Sequence, residues 1–241
     1  MFNDTMISMF KKKPVLQYES AIEIYPDIIT PTRIHIPEWY KKINKWRNNE
    51  MFNVEKKQFQ ESVKLCVPFL DSLSSGYMIT LPNDLYVKQV DGSPYLTWKN
   101  AEFPPTWRDE ISHENLVPSG CYPLEYVWRP GVALTVPLGY SMLITHPLNR
   151  HDLPFTTLSA IVDGGLVLDP NGNIPFYIKK DFEGIISKGT PIIQIIPFFQ
   201  ENWSSKKIKH LTKKGSQHGK MSASILFGWY KKTFWTKKQY N

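Results

Sequence analysis

Between Val132 and Trp203 short apolar, β-branched runs alternate with Pro, Gly and Asn-Gly breaks, the pattern of strands following one another through tight turns. Upstream, the stretch from Tyr77 to Val90 reads as two strands broken at Pro82-Asn83-Asp84. Asp91-Gly92 then signals a hairpin into a strand at 95–98, so a meander is expected over 77–100. Pro14 to Arg33 alternates weakly and suits one strand closed by Pro26 and Pro31, neither of which belongs in a central ladder. Helical spacing of Trp39, Ile43 and Trp46, with Pro37 in the first turn and Glu38 at the positive end of the dipole, predicts a helix over 36–46. A second short helix is expected over 63–75, with Pro68 near its start and Gly76 at its end. A surface helix is expected over 107–116.

The periodicity therefore predicts a mainly β, β-rich α+β chain: a single distorted β-barrel or sandwich of short strands with a few peripheral helices. Residues 1–203 form that unit, with N-terminal helical elements packed on it, and 204–241 form a basic C-terminal appendage. Closure or homo-oligomerisation would cover the strand edges. In the appendage Ser204–Leu211 is expected as a basic helix capped by Ser204 or Ser205, and Lys213–Gly219 as a loop. Met221–Tyr240 is expected as an element packing on the β unit or on a neighbouring subunit.

Composition adds a field to this picture. With 29 Lys and Arg against 22 Asp and Glu the 241-residue chain carries +7, which favours an acidic protein or nucleic acid as partner. The excess lies at Lys11–Lys13, Lys41–Arg47 and Lys206–Lys238, where a solvated tail accounts for it equally well. Two cysteines, Cys66 and Cys121, lack zinc-site spacing and are expected as free buried thiols. Neither a signal peptide nor a run of about 20 apolar residues is evident, so a soluble intracellular protein is expected.

Candidate chemistry gathers in two turns. Thr145–Asp152 holds His146, His151 and Asp152, which could supply a metal site if a distant ligand joined them. It also holds Asn149 and Arg150; the guanidinium could grip a phosphate or carboxylate, or pair with Asp152 or Asp163. Asp163, before Gly164 and Gly165, could orient a water or a hydroxyl, or simply form the turn. Cys121 with a histidine is a further pairing on paper. The G-x-S-x-G elbow, the Walker loop, the Rossmann fingerprint, H-E-x-x-H and the zinc-deaminase signature do not occur.

Two resemblances extend these readings. PEWYKK at 37–42, CVPFLDSLSSGY at 66–77, THPLNRHDLPF at 145–155 and GIISKGTPIIQIIPFFQENW at 184–203 together resemble an uncharacterised family of tailed phages and some bacteria. That likeness implies a phage-type protein with no assigned activity: a non-enzymatic virion or host-interaction module whose basic tail meets an acidic partner. SSGYMITLPNDLYV, VPLGYSMLITHPLNR, AIVDGGLVLDPNGNIPFYI and IISKGTPIIQIIPF are also similar in order to the strand motifs of the trimeric dUTPase and dCTP deaminase fold. That similarity implies a nucleotide-binding or nucleotide-hydrolysing protein. Asp163 would orient water, Arg150 and Asn149 would meet phosphate, Gln194 would belong to the phosphate site or subunit contact, and Mg2+ would serve as cofactor. The sequence departs from that pattern at the Arg-Ser of the phosphate turn, the Tyr-Arg-Gly after the acid and the Gly-rich C-terminal lid. No cofactor is expected otherwise, and a metal-dependent β-barrel enzyme using His146, His151 and Asp152 is the third reading.

Overall fold

The computed structural model describes residues 13–22, 28–99, 101–108, 114–221 and 228–241. Strands β1 (Gln17–Ser20) and β2 (Ile29–Pro31) come first, then helix α1 (Glu38–Lys42), the small hairpin β3 (Phe52–Asn53) and β4 (Gln58–Phe59), and helix α2 (Val67–Ser74). They are followed by β5 (Tyr77–Thr80), β6 (Leu85–Val90), β7 (Ser93–Trp98), β8 (Thr106–Trp107) and β9 (Tyr126–Trp128). The punctuated stretch supplies β10 (Val132–Thr135), β11 (Tyr140–Thr145), β12 (Phe155–Thr157), β13 (Ala160–Asp163), β14 (Ile174–Ile178), β15 (Gly184–Ile186) and β16 (Pro191–Phe199). Beyond it lie α3 (Leu211–Lys220) and α4 (Trp229–Thr233).

The chain is thus strand-rich, with several sheets and few helices. The largest sheet is antiparallel, in the order β13-β11-β16-β5-β2, and a second runs β12-β14-β9-β8. Central β16 is buried over Pro191–Ile195, so both of its faces are covered and its sequence is apolar without alternation. Gln194 is the exception within that run. In the second sheet Trp128 and Phe176 stack with centroids 3.5 Å apart. Ile79, Ile193 and Ile195 of the first sheet share one core cluster with Trp128, Phe155 and Phe176 of the second. Gly76 is required where α2 gives way to β5: its φ is +78°, and a Cβ there would lie 2.0 Å from the Ile195 carbonyl oxygen.

Several expectations are corrected. Residues 77–100 are not one meander, because β5 pairs with β16 and β2 whereas β6 pairs with β7 and β15. The Asp91-Gly92 hairpin within it is formed, with positive φ at both residues, the geometry of a two-residue hairpin turn. Pro14–Arg33 gives two short strands rather than one, and β2 with Pro31 is an edge strand, where the missing N–H costs least. Residues 23–27, Pro26 among them, lie outside the described residues. The helix expected over 36–46 ends at Lys42, since Ile43 is extended (ψ 133°) and Trp46 instead bridges Glu61. One turn suffices to bury Tyr40, which stacks on Phe69 at 5.8 Å. Of the surface helix expected over 107–116, a 3-10 turn at Glu114–Leu116 is present, and 109–113 lie outside the described residues. The basic helix expected over 204–211 is displaced: it forms at Leu211–Lys220, across the run read as a loop. Its far end is held by the His218 ring against Trp229 and Phe234, at 5.1 and 5.6 Å.

Candidate functional site

The turn after β11 is a set of answered polar groups. Asn149 takes the left-handed conformation (φ 59°) that Asn tolerates, and its Nδ2 donates to Ser72 Oγ at 2.7 Å. Gln194, paired with Thr145 across the β11–β16 ladder, is fully buried. Its Oε1 accepts from the Leu148 N–H at 2.8 Å, and its Nε2 donates to the Ser72 and Ser75 carbonyls at 3.1 and 2.8 Å. Gln194 therefore ties the turn to the end of α2 rather than facing a cleft. Arg150 grips Asp152 through Nε and Nη2, both at 2.9 Å at their shortest, in the forked geometry that suits a carboxylate. Trp39 Nε1 donates to the same carboxylate at 3.2 Å. Burial works to raise the Asp152 pKa, but the hydrogen bonds and charge of Arg150 outweigh it and hold the carboxyl below its ordinary value.

His146 is committed at both nitrogens. Its Nδ1 accepts from the Thr157 N–H at 3.3 Å and its Nε2 meets the Arg150 carbonyl at 3.1 Å. Those partners select the neutral tautomer with the proton on Nε2. Burial lowers its pKa, with the carbonyl contact opposing and nearby cations reinforcing the shift. His151 is exposed, and its carbonyl accepts from Lys179 Nζ at 2.6 Å. Among the described residues no group of three or more His, Cys, Asp or Glu side chains could hold a metal ion.

Asp163 lies elsewhere. It is paired directly with Ser141, at the opposite end of β11 from the Arg150 turn. The four residue steps from Ser141 to Thr145 alone separate the two by about 13 Å at strand rise. Its Oδ1 accepts from Ser141 Oγ and Gln200 Nε2, each at 2.8 Å. The close approach made possible by Gly164 is to the chain itself: a Cβ there would lie 2.1 Å from the Pro137 carbonyl oxygen. The structure therefore places Asn149, Arg150, His146, Asp152 and Gln194 in one braced corner and Asp163 in another.

A third polar centre was invisible in the sequence. Buried Glu125 accepts from Arg108 Nη1 at 2.7 Å and from the Tyr177 hydroxyl at 2.9 Å. Burial first, then the Glu125 contact, push the Tyr177 phenol up to about 12. Cys121 beside it is buried, and burial pushes its thiol up, away from the reactive thiolate. Cys66, expected to be buried, is exposed.

The segment 204–241 is built differently. It contains ten lysines and no acidic residue, so the remaining 203 residues carry net −3 beneath the chain's overall +7. Every residue from 201 to 217 is exposed, including Lys206, Lys207, Lys209, Lys213 and Lys214. Its far end folds back onto the β unit. Trp235 Nε1 donates to both Asp71 carboxylate oxygens at 3.2 and 3.0 Å, and Lys238 pairs with the same group. Arg33 Nη1 donates to the Tyr240 carbonyl at 2.5 Å, and the Tyr77 hydroxyl to that of Asn241 at 3.3 Å. Asp71 and Arg33 carry no local pattern that would mark them as anchors, since each meets a group more than 150 positions away. No helix among the described residues is long and apolar enough to cross a membrane.

No family model matches this chain, and no curated protein sequence matches it.

Proposed function

We propose that this is a non-enzymatic, phage-type binding module, acting in a virion or in the cytoplasm of a host cell, whose basic segment engages nucleic acid. The observation that carries the reading is the charge division: ten lysines without one acid, exposed on 204–241, against a β unit that is net negative. Lysine acts as a point charge toward phosphate, and a run of such charges gains affinity by releasing counterions. Aromatic rings interleave with these lysines: Trp203, Trp229, Tyr230, Phe234 and Trp235. Trp203 is 87% exposed and available to a base face. A nucleic acid presents a stackable ring beside every negative charge, which suits the exposed Trp203 next to the lysines and favours nucleic acid over an acidic protein.

On this reading the β unit is the scaffold, and the two sheets sharing one core support a sandwich. The exposed Ile161 on edge strand β13, with Leu166 and Val167 beyond it, supports self-association along that edge. The test is fluorescence anisotropy with a labelled single-stranded oligonucleotide, competed by polyglutamate or by unlabelled DNA. Displacement by DNA at far lower charge concentration than polyglutamate is the expected result. Absence of binding at low salt, or equal displacement by the two competitors, would overturn the proposal.

A further inference from the structure

A cavity of about 770 Å³ opens between the segment leading into β1, the β2–β5 side of the large sheet, the 136–140 turn and residues 237–241. Its volume lies in the range of pockets that take a small ligand, roughly 300–1,000 Å³. Four tyrosines line it, Tyr18, Tyr77, Tyr140 and Tyr240, from four different parts of the chain. Among the described residues its charged lining side chains are Lys13 and Lys237, with no acidic side chain, and the main chain of Asn241 in its wall accepts from the Tyr77 hydroxyl. Across residues 13–15 a second cavity of about 550 Å³ continues toward Thr135 and Val167, again with Lys13 as its charged group.

The far wall is fastened rather than loose. The Tyr77 and Tyr240 rings meet edge to face at 5.8 Å, and Arg33 and the Tyr77 hydroxyl hold the backbone of 240–241 from below. Burial raises the Tyr77 pKa, so its phenol stays a neutral donor near neutral pH. Ring faces and two lysines in a cleft without an acidic side chain describe the complement of a planar ring joined to an anion. Stacking on tyrosine is indifferent to which base is presented, and a lysine at the rim adds charge without demanding a fixed geometry.

We propose that this cleft seats one nucleotide unit, its base against the tyrosine rings and its phosphate at Lys13 or Lys237. The proposal rests on the nucleic-acid reading above and deepens it, since Lys237 belongs to the same basic segment. A free nucleotide and one unit of a strand share this chemistry. The second cavity, continuing past Lys13, leaves room for a neighbouring unit and favours the strand.

Isothermal titration calorimetry on the full chain separates the sources, using thymidine monophosphate, thymidine, inorganic phosphate and a thymidine oligomer as probes. Tyr18→Ala and Lys237→Gln test the cleft; Tyr18 is 43% exposed, so its truncation leaves the core intact, and thermal melts check both variants. The monophosphate is expected to bind, and Tyr18→Ala to weaken it about tenfold. Lys237→Gln should weaken it several-fold and reduce its salt dependence. Thymidine and phosphate alone should each bind more weakly than the monophosphate. Replacing Lys206, Lys207, Lys209, Lys213 and Lys214 with Gln should weaken the oligomer while leaving the monophosphate unchanged. No monophosphate binding at millimolar concentration, or binding indifferent to both cleft variants, overturns the cleft proposal even where the oligomer still binds through the lysines. Monophosphate binding through the cleft without any oligomer binding upholds a free-nucleotide site and removes the strand.

Discussion

The corner formed by residues 145–152 and the segment 204–241 are both rich in polar side chains, yet the chain treats them oppositely. In the corner Arg150 is matched by Asp152, His146 by Thr157 and its own turn, and Asn149 and Gln194 by α2. In the basic segment five lysines between 206 and 214 project from exposed positions, with no acidic residue anywhere in 204–241 to meet them. A cluster of catalytic residue types marks a site only where its internal partners leave it free. Buried polar groups must be satisfied internally, and here that requirement absorbs His146, Asn149 and Gln194, while Arg150 is spent on Asp152. Exposed like charges repel and are kept where a partner of opposite sign lowers that repulsion.

The comparison breaks most visibly at Gln194. Gln194→Ala removes both sides of a fully buried amide and strands the Leu148 N–H and the Ser72 and Ser75 carbonyls. A loss of about 3 kcal/mol in urea unfolding is expected, the sum of unmade buried hydrogen bonds and a small cavity. A loss no larger than that of a surface substitution would show that the corner is not braced as described. Arg150→Ala should cost less, about 1 kcal/mol, because Asp152 is 39% exposed and water replaces part of the lost pair. Its effect on oligonucleotide affinity should be small, which anisotropy can check alongside the melt.

Acid provides a third probe of the corner. The His146 pKa is lowered in the folded chain, so the unfolded chain binds the proton more readily. Stability is therefore complete above the ordinary value of 6.5 and declines as pH falls from there toward the depressed folded-state value. His35 is lowered too, by burial first and then by Arg150, and acts in the same window. Denaturation midpoints across that window should fall less steeply in His146→Gln than in the parent chain. Asp152 also loses stabilisation in acid, but only as pH falls below its ordinary value of 3.8, which separates the two effects. The smallest change belongs to the other region: each of Lys206, Lys207, Lys209, Lys213 and Lys214 to Gln should shift stability by no more than about 0.5 kcal/mol.

Much of the strand pattern was legible. Short apolar runs with Gly or Pro punctuation marked β5, β6, β7 and the strand-rich character of 132–203, and Asp91-Gly92 marked its turn, because these signals are local. Sheet membership was not, since β5 leaves its sequence neighbours to pair with β16, more than a hundred residues away. Gln194 could be assigned to a phosphate site from a motif, whereas its actual partners at Ser72 and Ser75 lie 122 and 119 positions upstream. The displaced helix at 211–220 shows the limit of propensity: Gly215 and Gly219 argue for a loop, and the His218 contacts with Trp229 and Phe234 are tertiary. Of the candidate chemistry, the choice of Arg150 between ligand and brace was visible as a choice and is decided by Asp152 two residues on. The tyrosine cleft was not visible at all, because its four rings come from positions 18, 77, 140 and 240.

The salt dependence of oligonucleotide affinity separates the answered corner, as scaffold, from the unanswered lysines, as binding groups. Each phosphate neutralised on a single strand contributes about −0.7 to the slope of log affinity against log salt. Replacing the five lysines from 206 to 214 with Gln should make that slope shallower by roughly 3 to 4 while the melting temperature holds, with Arg150→Ala showing the reverse pattern. A slope unchanged by the five substitutions, or one abolished by Arg150→Ala in a chain that still folds, would contradict the account.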